Sequence, residues 1–287
     1  FATLGSLVNF CDCLLAGGTG AKNHSEVGSS YIHFNYTPQQ DKATPSLLGD
    51  VPRGVMLRER PIFLGGQGGL VGPARIGYGV VVSAGTILRG GCAEEGKLIS
   101  GASHRFVART FRPGCYREVR KKFLNNVVYI ANLLALRQWY REARRPFFAG
   151  APGRLLYHGA LKRLEEAFAE RIKRLGDFVE KLPASAAQAA PGSPLLRAQQ
   201  KELAERWPAI AQALSAARDH SGDGALRDAF LKRLEKARSE RGGAYLTAVQ
   251  SLPAAAAEEG ARWLQGIVDE IVRGALARVP SFGENSD

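Results

Sequence analysis

The chain is poor in the residues that make cross-links and in the runs that make membrane spans. Only four cysteines, Cys11, Cys13, Cys92 and Cys115, stand among its 287 residues. They are too few and too scattered for a disulfide scaffold in a chain this long. Cys11 and Cys13 form a C-x-C pair, which would share one face of a strand. Such a pair serves either as small apolar core residues or as a metal or redox site. No uninterrupted apolar run approaches the roughly 20 residues needed to cross a bilayer, so no membrane span is expected. No basic stretch leads into a short apolar one at the start, so no signal peptide is expected and the location reads as cytoplasmic. The chain opens at Phe1 and its one methionine is Met56, which reads as a fragment lacking its natural N-terminus.

Acidic residues are also in deficit. Lys and Arg number 39 against 27 Asp and Glu, a net charge of +12. The excess is local. Residues 1–100 hold 8 basic and 7 acidic groups, residues 101–150 hold 11 and 2, and residues 151–287 hold 20 and 18. A basic surface built throughout for nucleic acid is therefore excluded, and no nucleic-acid recognition motif accompanies the charge. The basic segment runs from Arg105, Arg109 and Arg112 through Arg117, Arg120, Lys121 and Lys122 to Arg137, Arg141, Arg144 and Arg145. It reads either as an anion site for phosphates, which favour Arg forks, or as a solvated helix face.

What is present divides into two unlike halves. Residues 1–100 are rich in glycine and branched aliphatics. Residues 116–278 are rich in Ala, Leu, Arg and Glu, with apolar residues recurring at helical spacing. Five helices are expected, over 117–145, 155–182, 194–217, 226–251 and 254–279. The domains are placed at 1–100 and 101–287, with Pro113 and Gly114 as the breaker.

In the first half Leu64, Leu70, Ile76, Val82 and Leu88 follow one another at intervals of six, and a weaker copy runs through Leu4, Phe10 and Ala16. A six-residue unit is one short strand plus a turn, and it cannot bury its apolar residue alone. Stacked coils bury a continuous core. Alternation of period two does not produce this interval. The fold class expected is a β-solenoid, a parallel β-helix, followed by an all-α C-terminal helical bundle.

Several short motifs fall in one order along this half. They are Asn35-Tyr36, Lys42, Leu48-Gly49-Asp50, Phe63-Leu64-Gly65, Leu70-Val71-Gly72-Pro73, Ile76-Gly77 and Ser83-Ala84-Gly85-Thr86. Together they resemble the left-handed β-helix domain of the bacterial bifunctional N-acetylglucosamine-1-phosphate uridyltransferase/glucosamine-1-phosphate acetyltransferases, over roughly residues 4–90. The resemblance implies a left-handed parallel β-helix and a homotrimer. It implies a nucleotide-sugar (UDP-N-acetylglucosamine) pathway transferase that moves an acyl group from acetyl-CoA to an amino-sugar phosphate. A missing N-terminal nucleotidyltransferase domain, with its Mg²⁺, is the further implication. Asn35, Tyr36 and Lys42 match the loop that reaches the sugar phosphate. Gly66 takes the place of a CoA-contacting serine, and Ser83 and Ala84 lie in the turn that contacts CoA.

The match departs at the catalytic segment. Aligned through Gly28, the family's catalytic histidine falls on Asn23, with His24 one residue late, and its sugar-binding tyrosine falls on Glu26. About 12 residues, Val51 to Ile62, are inserted after Gly49-Asp50. His24 is therefore either the general base or a structural histidine. The alternative function is a non-catalytic, trimerising domain that binds a nucleotide sugar. The run Gly65-Gly66-Gln67-Gly68-Gly69 lacks the G-K-[ST] ending and following helix of a phosphate-binding loop, and reads as tight corners.

Overall fold

The computed structural model describes residues 2–34, 45–101, 114–188 and 194–283. The first part is a succession of short strands: β1 (Ala2–Leu4), β2 (Asn9–Phe10), β3 (Cys13–Leu15), β4 (Gly18–Gly20), β5 (Asn23–Val27), β6 (Tyr31–Phe34) and β7 (Ser46–Leu48). A one-turn helix α1 (Val51–Gly54) follows, then β8 (Phe63–Leu64), β9 (Gly69–Ile76), β10 (Val81–Val82), β11 (Ile87–Cys92) and β12 (Leu98–Ile99). One sheet has the order β1-β5-β8-β10-β12 with β4 against β5. The other has β2-β6-β9-β7-β3 with β11 against β9. All pairs are parallel except β4 with β5.

Register explains the core. Val27 pairs with Leu64 and Leu64 with Val82. Ile32 pairs with Leu70 and Leu70 with Leu88. Leu15 pairs with Leu48 and Leu48 with Ile76. These ladders of like apolar residues meet in a single cluster with Ile62, Tyr78 and Val80. Each added rung buries aliphatic surface on both neighbours, at ~25 cal/mol per Å².

The expected fold class, a left-handed parallel β-helix followed by a separate bundle, is corrected. The strands assemble into two six-stranded sheets in a near-barrel arrangement, and helix takes up 57% of the described residues. Two features of the sequence account for this. Strand β9 runs unbroken for eight residues, longer than a six-residue unit with its turn can hold. Its first half pairs with β6 and its second half with β7. The segment after Gly49-Asp50 carries α1, whose apolar residues have no place in the strand core. Val51 and Met56, with Leu47, are instead buried among the helices.

The helices are α2 (Val119–Gln138), a π-helical turn (Trp139–Arg144), α3 (Gly150–Val179), α4 (Leu182–Gln188), α5 (Pro194–Ala216), α6 (Gly224–Glu240), α7 (Tyr245–Gln250) and α8 (Ala254–Leu276). The fourth helix of the sequence reading is two, α6 and α7. Gly242 and Gly243 separate them at φ +72° and +80°, a region only glycine enters without cost. Helix α2 is buried on nearly every side, through Phe123, Val127, Ile130, Leu133 and Leu134. Gly260 of α8 lies so close to Met56 and Phe230 that an added Cβ would stand 2.6 Å from each. Among the described residues no helix is long and apolar enough to cross a membrane.

One ion pair ties the strands to the helices. Arg171 of α3 is 1% exposed, and its Nη2 lies 3.0 Å from Asp12 Oδ2 beside β3. Burial draws the Arg171 guanidinium below its ordinary range, and Asp12 opposes that pull. Removing one partner of a fully buried pair costs about 3–5 kcal/mol. Asp12 is 39% exposed, so water replaces part of the loss and a cost on the order of 2 kcal/mol is expected. Urea denaturation of Arg171→Ala should read that loss. The same substitution in an Asp12→Asn background should cost at least ~1 kcal/mol less. Equal costs in both backgrounds would show that the pair does not couple.

Candidate functional site

Strand β5 presents alternate side chains to opposite faces. Ser25 and Val27 are buried, while His24 and Glu26 lie on the outer face. His24 Nε2 is 2.6 Å from Thr3 Oγ1 on the neighbouring β1, and 3.7 Å from Glu26 Oε1. Both contacts fall on one ring nitrogen. Among the described residues Nδ1 has no hydrogen-bond partner. The side chain of His24 is 21% exposed and that of Glu26 50%.

The proposed CoA-contacting residues meet at one corner. Gly66 O accepts from Gly85 N–H at 2.9 Å. A Cβ on Gly65 would stand 2.3 Å from Ala84 N, and one on Gly28 would stand 2.6 Å from Gly66 N. The Ser83 hydroxyl lies 3.1 Å from Thr86 Oγ1. Gly66, Ser83 and Ala84 are thus stacked with Gly28, four residues up the strand from His24, on the order of 13 Å away. Asn35, Tyr36 and Lys42 lie outside the described residues.

Among the described residues the basic segment does not gather into one anion site. Arg105, Arg109 and Arg112 lie outside the described residues. Arg137 and Arg141 both reach Asp219 Oδ1, at 3.3 and 3.1 Å. Lys122 sits over the rings of Tyr116 and Phe178. Arg144 differs. Its guanidinium carbon is 3.7 Å from the centroid of the Tyr245 ring, 5.0 Å from Phe148 and 5.6 Å from Tyr140. Its Nε is buried without an acceptor. A buried donor left unpaired costs about 1–3 kcal/mol.

Arg144 lines a cavity of about 320 Å³ where the strands meet the helices. One wall is Leu14–Gly17 and Leu48–Asp50. Another is α1 with Val55 and Leu57. The third is Leu136, Trp139, Tyr140 and Tyr245. The π-helical turn sets this wall. Arg145 N–H bonds to Tyr140 C=O, five residues back. The turn carries both Trp139 and Arg144 into the lining of the cavity. Trp139 Nε1 donates to the Tyr245 hydroxyl at 3.3 Å. Asp50 is the acid of the lining, and it is engaged elsewhere: it accepts from Arg53 N at 2.8 Å and from Arg53 Nε at 3.0 Å. Sequence reasoning counted Arg144 as one of eleven basic residues. Tyr140 and Phe148 stand four residues to either side of it, but its nearest ring, Tyr245, comes from α7, which no local spacing connects to it.

Among the described residues none of the four cysteines forms a disulfide. Among the described residues no group of three His, Cys, Asp or Glu side chains could hold a metal ion. Burial, then the charge of Asp12, pushes the Cys13 thiol up to about 12. Cys13 should therefore resist iodoacetamide at pH 8 in the folded protein and react at once in urea. Rapid native labelling, located by peptide mass, would contradict that shielding. The folded thiol keeps its proton while the unfolded thiol loses it near pH 9. This contribution to stability is complete below pH 9 and is lost as pH rises from about 9 to about 12.

No known protein family, curated protein or solved structure matches this chain.

Proposed function

We propose that the chain transfers an acyl group from acetyl-CoA to an amino-sugar phosphate, as part of a nucleotide-sugar pathway transferase. The observation that carries this reading is the half-buried imidazole of His24, 21% exposed, with Nε2 held by Thr3 and flanked by Glu26. In the proposed reaction Nδ1 takes a proton from the sugar amine as the amine attacks the thioester carbonyl. The C–N bond forms, the C–S bond breaks and CoA leaves as the thiol. Glu26 stabilises the imidazolium formed on the way. Gly66, Ser83 and Ala84 hold the CoA at the stacked corner, and Asn35, Tyr36 and Lys42 bind the sugar phosphate.

The proposed assembly is a homotrimer. In its support, Phe63, Val81 and Leu98 are register neighbours on the outer face of one sheet. They are 38%, 39% and 74% exposed. An apolar row of that kind is unusual on a monomer's surface.

One observation favours the alternative, a non-catalytic domain that binds a nucleotide sugar. The stacked corner and His24 stand on the order of 13 Å apart along β5, so a thioester held at the corner must span that length to react.

Incubation with acetyl-CoA and glucosamine 1-phosphate, read as free thiol, decides between them. Turnover is expected, with a ~10²–10⁴-fold fall in kcat/KM for His24→Ala. Full activity in that variant removes His24 from the chemistry. An inert wild-type protein that binds a UDP-sugar by calorimetry supports the alternative. Sedimentation at micromolar concentration should show trimers, and monomers alone would exclude that assembly.

A further inference from the structure

The cavity at the strand–helix junction belongs to neither reading above. It has the features of a ligand site. Its volume, about 320 Å³, stands at the lower end of what small-molecule sites occupy. Its lining is mostly aliphatic and aromatic, with Leu14, Leu48, Val55 and Trp139 on facing walls. Its charged side chains are two, Asp50 and Arg144. Both Asp50 oxygens accept from Arg53, so the cavity offers no free acid. Among the described residues Arg144 has no carboxylate partner, and its Nε is buried and unpaired.

The rings of Tyr245, Phe148 and Tyr140 surround the Arg144 guanidinium, which also donates to the Tyr245 hydroxyl, and its Nε is left without an acceptor. The guanidinium carbon lies 3.7 Å from the Tyr245 ring centroid, a cation–π contact. The N–H groups lie along the edge, where they match two oxygens of a planar anion. One guanidinium balances one negative charge, which selects a carboxylate over a phosphate dianion. The apolar walls select a hydrocarbon or aromatic body attached to it. We infer that this cavity binds a small apolar carboxylate, with Arg144 taking the carboxylate and Trp139, Val55 and Leu14 enclosing the body.

The inference is tested with 4-phenylbutyrate and its neutral counterpart 4-phenylbutan-1-ol, by calorimetry and by quenching of tryptophan fluorescence. Wild-type protein should bind the carboxylate saturably, one per chain, with a dissociation constant on the order of 1 mM or tighter. Arg144→Met, which keeps the length of the side chain, should weaken that binding at least tenfold and leave the weak binding of the alcohol unchanged. Arg144→Lys keeps the charge without the fork and should fall between. Val55→Trp fills the cavity from α1 and should abolish binding of both probes. Melting curves check that each variant folds; if Arg144→Met does not, the Lys variant and the ratio of the two probes carry the same decision. Equal affinity for the carboxylate with and without the Arg144 fork would overturn the inference. So would an absence of saturable binding in the wild type, or binding that survives Val55→Trp.

Discussion

The burial of helix α2 is the constraint on which the rest of the structure depends. A helix apolar on one stripe can lie on a surface, but α2 buries Phe123, Val127, Ile130, Leu133 and Leu134 around most of its circumference. It must be covered from several directions at once. Helices α3 and α8 cover part of it. The strands cover the rest through α1, whose Val51 N–H donates to Asn132 Oδ1 at 2.9 Å. Asn132 is buried, and its amide also donates to Val128 O within α2. The one polar side chain thus satisfies a helix start on the strand side and anchors itself on the helix side. An unpaired amide there would cost more than the contact contributes.

This explains why the residues between Asp50 and Ile62 matter more than their number suggests. They leave the regular strand succession, form α1, and deliver Met56 to the face of α8 at Gly260. The strand core and the helical core therefore lie back to back. Leu47 belongs to the helical cluster and its neighbour Leu48 to the strand cluster. In an extended chain adjacent side chains point to opposite faces, so a single strand, β7, serves both cores.

The apolar content of the strand core was legible from spacing alone, because Leu64, Leu70, Ile76 and Val82 line up at six and all four are buried. How those strands group was not legible. The number of sheets depends on how far each strand runs past its turn, and β9 runs through Gly72 and Pro73 without a corner. The split of α6 from α7 was signalled by Gly242 and Gly243, since paired glycines weaken a helix. For the candidate site the signal was weaker. The imidazole of His24 could be named, but its partner Thr3 lies on β1, 21 residues away in the chain. Arg144 carries no local signature. It closes a π-turn whose Trp139 packs against Phe230 and bonds Tyr245, residues a hundred or so positions on.

The two candidate sites share a wall. The segment Ala16–Gly17 lines the cavity, and Ser25 Oγ donates to Ala16 O at 2.9 Å while accepting from Ile62 N at 2.9 Å. Ser25 sits between His24 and Glu26 on β5, with its side chain turned to the opposite face. Gly18 pairs with His24 itself, and a Cβ on Gly18 would stand 2.6 Å from His24 Cα. The backbone that carries His24 is thus packed directly on the backbone that bounds the cavity, with no side chain between them to absorb a shift. Close-packed backbones move together. The position of the His24 ring relative to Thr3 is therefore set in part by what fills the space beside Ala16 and Gly17. That physical link depends on two glycines and one buried hydroxyl, and on no charge in either site.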